Sequence, residues 1–136
     1  MTVTSPLARR NAAADLTVDA IDAGPAAGTI QIRTAPRPAV DAAATGTLLV
    51  TITLNDPAFG AAAAGVATMD NDPVPSGIAV ASGTAAWFRI LDSTGTTVLD
   101  GSVTATGDGG DLVLATTAIV AAANVTLSTG TVTQPQ

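Results

Sequence analysis

From residue 28 onward the apolar side chains recur at every second position, and that period commits most of the chain to extended structure. Residues 46–54 show it best: Leu48, Val50, Ile52 and Leu54 fall on one side of an extended backbone. Thr29-Ile30-Gln31-Ile32-Arg33-Thr34 alternates in the same way, and Ala35-Pro36-Arg37-Pro38 breaks it. Residues 78–81, 85–91, 96–106, 112–115 and 124–133 supply further short strands. Turn residues separate them at Asn55-Asp56-Pro57, at 70–75, at Asp92-Ser93-Thr94-Gly95 and at Gly107-Asp108-Gly109-Gly110. The 92–95 turn fits a four-residue hairpin loop built on a type I turn. Residues 58–75 read ambiguously: Ala61 to Ala64 could form one helical turn, but Gly60 and Gly65 favour a loop. Several short strands at this spacing predict a mainly β fold, an antiparallel β-sandwich of jelly-roll-like form.

The first residues follow a different period. Residues 1–4 read as an extended arm. Ser5 is a suitable N-cap and Pro6 a suitable first helical residue. Leu7, Ala14, Val18 and Ile21 share one helical face, with Asn11 among them, and Gly24-Pro25 is a stop signal. The spacing predicts a helix over 6–23. The chain then divides into an arm and helix, 1–24, and a β-sandwich domain, 25–136. Arg9 and Arg10 are the chain's one arginine pair, which marks the helix as an attachment or oligomer element. On that reading, a chain without residues 1–23 keeps a folded β domain.

Composition narrows the chemistry. The chain has no Glu, Lys, His, Cys or Tyr; its eleven acids are all Asp and its five bases all Arg. Catalysis commonly rests on a tuned acid, base or nucleophile, and here Asp, Ser, Thr and Arg are what remain. A Ser-His-Asp site and a phosphate loop with its lysine are impossible, and the reading is of a non-enzyme with no cofactor. A net charge of −6 argues against a nucleic-acid surface, which needs clustered cations. No uninterrupted apolar run is long enough to span a bilayer, and no signal-peptide pattern opens the chain. These readings predict a soluble protein made in the cytoplasm.

Two acidic clusters could offer oxygen ligands to a hard cation. Asp70-Asn71-Asp72 supplies two carboxylates and an amide, and Asp108-Gly109-Gly110-Asp111 two carboxylates across a flexible turn. Neither follows the twelve-residue calcium-loop pattern. The competing reading is turn chemistry, in which Asp caps its own backbone; it also covers Asp56, Asp92 and Asp100. Trp87 and Phe88 are neighbours on one strand, so they face opposite ways. Phe88 shares its side with Ala86 and Ile90, as a core residue does. Trp87 shares its side with Arg89 and Leu91, as on a partner surface. Arg9, Arg10, Trp87 and Arg89 are the candidate interface residues, and no catalytic or metal-binding residue is assigned.

One ordered series of segments carries a resemblance. It begins with Arg10-Asn11-Ala12 and Asp19-Ala20-Ile21-Asp22-Ala23-Gly24, and continues with Ile30-Gln31-Ile32-Arg33-Thr34, Pro36 and Pro38. Thr45-Gly46-Thr47-Leu48-Leu49 and Leu54-Asn55-Asp56-Pro57-Ala58-Phe59 follow. Then come Gly83-Thr84-Ala85-Ala86-Trp87-Phe88-Arg89-Ile90-Leu91-Asp92-Ser93, Leu99-Asp100-Gly101-Ser102-Val103, Gly110-Asp111-Leu112, and Thr116-Thr117 through Ile119-Val120. The series, spread over residues 10–133, resembles a family of small virion structural proteins of tailed bacteriophages. The chain departs from that family at Leu127-Ser128-Thr129-Gly130-Thr131-Val132-Thr133, where the family carries an aromatic in its last strand.

The resemblance implies a virion component without catalytic residues. The expected role is a capsid decoration or minor capsid protein that binds the phage major capsid protein. It would assemble with copies of itself and bind neither nucleic acid nor membrane. A tail or head-tail connector protein is the alternative within that class. A calcium-assisted glycan-binding β-sandwich is the alternative from another class, with Trp87 as its stacking ring.

Overall fold

The computed structural model describes residues 3–134. Met1, Thr2, Pro135 and Gln136, which the sequence places in the arm and the polar end, lie outside the described residues. The fold is mainly β, with one N-terminal helix and an antiparallel-rich sheet.

Helix α1 spans Leu7–Asp19. It starts one residue later than the spacing predicts and ends four residues earlier. Pro6 takes the N-cap position with φ −54° and ψ 148°, and no side chain caps the helix; the expected Ser5 cap does not form. Beyond Asp19 the backbone continues in turns to Asp22, and Ile21 still points inward. Ala14, Val18 and Ile21 are buried, as their spacing predicts, whereas Leu7 is exposed.

The main sheet has five strands in the order β2-β1-β6-β7-β8. They are β1 Thr29–Arg33, β2 Leu48–Thr53, β6 Trp87–Leu91, β7 Thr97–Ala105 and β8 Leu112–Leu114. All neighbours pair antiparallel except β7 and β8, which run parallel. The glycine-rich turn between them carries the chain back beside Ser102 before β8 begins, so a short loop serves a parallel pair. The second layer is three two-stranded ribbons rather than one continuous sheet. They join β10 (Asn124–Thr126) to β4 (Ser76–Ile78), β11 (Thr131–Thr133) to β3 (Val66–Thr68), and β5 (Gly83–Thr84) to β9 (Ala118–Ile119).

Two irregularities explain where side chains depart from simple alternation. The β1–β2 register passes from Ile32↔Val50 to Arg33↔Leu48, so Leu49 is the extra residue of a β-bulge. The bulge turns Leu49 and Val50 inward together, and both are fully buried; Leu48 is only half-buried. The predicted row of Leu48, Val50, Ile52 and Leu54 therefore holds only from Val50 onward. In the ambiguous 58–75 segment the loop reading holds for Ala61 to Ala64, while Val66–Thr68 forms a strand that the sequence pattern does not mark. Ala63 and Val66 exchange both backbone hydrogen bonds around Ala64 and Gly65, with φ of 54° and 80°. A two-residue turn with both central φ positive matches the twist of the flanking strands.

One apolar core joins the layers. Ala14, Val18 and Ile21 of the helix belong to the same cluster as Ile30, Ile52, Phe88, Ile90, Met69 and Leu127. The helix also holds the 58–65 segment with its polar side chains. Asn11 Oδ1 accepts from the Gly65 amide at 2.7 Å, Asp15 Oδ1 from Ala62 at 2.6 Å, and Asp22 Oδ1 from Ala58 at 2.8 Å. These acceptors recur along one side of the helical segment, so a stretch of loop backbone is paired without a neighbouring strand. The boundary at residue 24 therefore does not separate two folding units.

Candidate functional site

The four candidate interface residues are not brought together. Arg9 is exposed on α1. Arg10 is half-buried, and its side chain packs beside Gly65 and the Gln134 carbonyl. Trp87 and Arg89 lie on the opposite side of β6 from Phe88, under the 34–47 loop. They are 0% and 6% exposed, so neither forms an accessible partner surface. The expectation fails because both sides of β6 are covered: ribbons lie over one and the 34–47 loop over the other.

The sealed side is built by register. β1, β6 and β7 align Gln31, Arg89 and Asp100 in one cross-strand row, and Arg33, Trp87 and Ser102 in the next. Arg89 donates through Nε and Nη2 to the two Asp100 carboxylate oxygens, each at 2.7 Å, and through Nη2 to the Ala42 carbonyl at 3.0 Å. Its guanidinium lies 5.5 Å from the centre of the Trp87 ring, within cation–π range. Trp87 Nε1 donates to the Thr34 carbonyl at 2.9 Å. The hydrogen bonds to Asp100 hold the Arg89 guanidinium charged more firmly than usual, against the opposing effect of burial. Asp100, read in the sequence as a turn aspartate, is instead the partner of a buried arginine. A register shift between Ile90 and Leu91 sets this pairing. Without the shift, the Leu91↔Thr97 pairing would continue to put Leu99 opposite Arg89.

Most of the remaining polar groups serve the fold. Arg33 donates to Gln31 Oε1 and to the Gly46 carbonyl, and Arg37 to the Asp100 carbonyl. Asp70 Oδ1 accepts from the Asp72 amide, and Asn71 donates to the Ser128 carbonyl. Asp111 Oδ2 accepts from both the amide and the hydroxyl of Ser102, each at 2.8 Å. Asp70 thus caps its own turn, whereas Asp111 bonds across to β7. Among the described residues no group of three or more acidic side chains converges in a metal-binding arrangement. The hairpin turn forms at the predicted place but as a three-residue loop, Ser93 to Gly95: the Asp92 amide bonds the Thr96 carbonyl, the Gly95 amide bonds the Asp92 carbonyl with Gly95 at φ 87°, and Asp92 Oδ1 accepts from Thr94 and Thr96.

These contacts predict an acid response. Hydrogen bonds from Thr94 and Thr96 hold the Asp92 carboxyl below its usual range, and those from Ser102 do the same for Asp111. A carboxyl depressed in the folded state stabilises the fold above its unfolded pKa, and that contribution is lost as pH falls through about 4 and below. Asp22 runs the other way: burial first, then Asp56 and Asp19, raises it, so its protonation favours the fold. Melting temperature should fall from neutral pH into that acid window. An Asp92→Asn/Asp111→Asn double variant should be less stable at pH 7 and show a flatter fall, measured by thermal melts across pH. Asp22→Asn should be neutral or stabilising at pH 7, since its amide oxygen can still accept from Ala58.

The accessible feature that stands out is aliphatic. Ile78, Val80 and Val120 are 60%, 70% and 63% exposed. Ala79, between the first two, is buried, and its amide and carbonyl bond Ala123 and Ala122. Ile78 and Val80 are thereby turned outward. A groove of about 230 Å³ runs alongside, lined by Leu114, Ile119, Val120, Ala123 and Val125 among others. The sequence places a strand at 78–81, which the structure sets at Ser76–Ile78, and it does not tell which side is left uncovered. Among the described residues no helix is long and apolar enough to cross a membrane. No family model, curated protein or solved structure matches the chain.

Proposed function

We propose that this chain is a non-catalytic structural protein of a tailed-bacteriophage virion, a capsid decoration or minor capsid protein that binds and stabilises the major capsid lattice. The observation that carries the proposal is the aliphatic surface of Ile78, Val80 and Val120 with its adjoining groove. Contiguous exposed apolar groups on a small domain mark interaction sites. The ordered series of segments from Arg10 to Val120 supports the virion class. An acidic, lysine-free surface suits a partner bound through apolar burial rather than a nucleic acid. Repetition over a lattice turns many modest contacts into firm attachment.

The glycan-binding alternative loses its stacking ring, because Trp87 is fully buried. The test is mass spectrometry of purified particles with a copy count. A copy number comparable to that of the major capsid protein supports the shell, and a few copies per particle would move the protein to the neck or tail. Its absence from particles would overturn the virion reading. Val80→Asp and Val120→Asp should change folding stability by no more than about 0.5 kcal/mol, as exposed substitutions do, and should lower incorporation.

A further inference from the structure

The ribbon layer stops short of covering the main sheet. On the inner side of the sheet, Ile30, Ile90 and Leu99 form one cross-strand row, and Ile32, Phe88 and Gly101 the next. A Cβ at residue 101 would collide with the Phe88 ring, so glycine there lets the ring lie across β7. β11 is the last ribbon strand over these rows. Beyond it lies a cleft of about 600 Å³, lined by Phe88, Leu99, Gly101, Asp111, Thr131 and Thr133 among others. Leu99 is half-buried at its floor.

The wall of this cleft is a strand edge. Among the described residues β11 pairs only with β3. The Met69 amide bonds the Gly130 carbonyl, and the Gln134 amide bonds the Gly65 carbonyl. In an antiparallel ladder the residues whose backbones face the partner alternate. Gly130, Val132 and Gln134 therefore face β3, and Thr131 and Thr133 turn their N–H and C=O groups outward, toward the cleft. An unpaired edge beside a partly uncovered apolar floor fits one more extended strand, which would continue the ribbon layer over Phe88 and Leu99.

The chain carries such a segment. Residues 3–6, ahead of α1, form neither helix nor strand, and all four are exposed, Val3 at 70%. Thr2, Val3 and Thr4 are strong strand formers, and Pro6 ends the segment in an extended conformation. The arm leaves the fold close to the end of β11, because Arg10, within one turn of the helix start, packs beside Gly65 and Gln134. Five arm residues in extended form reach roughly 16 Å, more than the length of β11. Alternation would put Val3 over the apolar floor, with Thr4 facing away.

We infer that the N-terminal arm of a second copy adds to the outer edge of β11, so that the protein self-associates by arm exchange. This inference is independent of the virion reading, because it concerns the isolated protein. Arm exchange between identical chains closes into a symmetric dimer or ring.

Sedimentation of the purified full chain tests it. The wild-type chain should sediment at a multiple of its monomer mass. A chain without residues 1–5 and a Thr131→Pro variant should both sediment as monomers with unchanged melting temperature. Proline at 131 removes an outward N–H and leaves the β3 ladder intact. The chain has no cysteine, so a Val3→Cys/Leu99→Cys variant gives a clean second readout, with a disulfide expected between copies. A wild-type chain that stays monomeric up to about 1 mM, the weak limit of useful affinity, overturns the inference. So does an oligomer that survives both the truncation and Thr131→Pro, or a disulfide that closes within one chain.

Discussion

A chain lacking residues 1–23 should show no cooperative unfolding transition. The sequence pattern suggests the reverse, because Gly24-Pro25 separates the helix from the strands. The structure makes the helix part of the only large core among the described residues. Val18 and Ile21 are 2% and 0% exposed, and burial of each is worth about 1.5–3 kcal/mol. Their removal also uncovers Ala58 and Ala67, which are fully buried in the intact chain. The hydrogen bonds from Ala58, Ala62 and Gly65 to Asp22, Asp15 and Asn11 add about 0.5–1.5 kcal/mol each. A domain of this size commonly has about 5–15 kcal/mol in total, so the loss is comparable to the whole stability. Circular dichroism melts of the truncated and intact chains decide it. The chain without residues 1–5 is the control and should melt like the wild type. A sharp transition in the longer truncation near the wild-type temperature would show the helix to be peripheral.

Trp87→Ala should destabilise the isolated protein by about 3–5 kcal/mol, the usual cost of removing a buried large aromatic. That is the same range expected for Phe88→Ala, whereas exposure of Trp87 on a partner surface would have made its loss the milder change. Trp87 is the largest fully buried side chain. Its loss leaves a cavity under the 34–47 loop, removes the hydrogen bond to the Thr34 carbonyl and takes away the surface beneath the Arg89 guanidinium. Arg89 and Asp100 would remain desolvated with less support, and buried pairs tolerate such disturbance poorly. Trp87→Phe, which keeps most of the apolar volume, should cost less. Denaturation midpoints of the three variants give the comparison. The indole is the sole strong fluorophore, since the chain has one Trp and no Tyr; its emission should be blue-shifted in the native state and move red on unfolding. A Trp87→Ala variant within about 1 kcal/mol of wild type would mean that the 34–47 loop does not seal that side.

What was legible in the sequence is what depends on neighbouring residues. The alternation in 29–34 marks β1, the Pro and Gly positions mark most of the breaks, and the Asp92 to Gly95 turn specifies its own hairpin through bonds spanning two to four residues. The inward side of α1 follows from the spacing of Ala14, Val18 and Ile21. What tertiary structure alone decided depends on register and on what lies over each side of the sheet. The bulge at Leu49 moves one apolar residue from the outside of β2 to the inside. A register shift beyond Ile90 brings Asp100, rather than Leu99, opposite Arg89, and so turns a mixed surface row into a buried ion pair. The 34–47 loop has no period of its own, yet it decides whether Trp87 meets water. Alternation tells which side chains point the same way; which side is covered depends on segments tens of residues distant, whose placement is fixed only when the whole core closes.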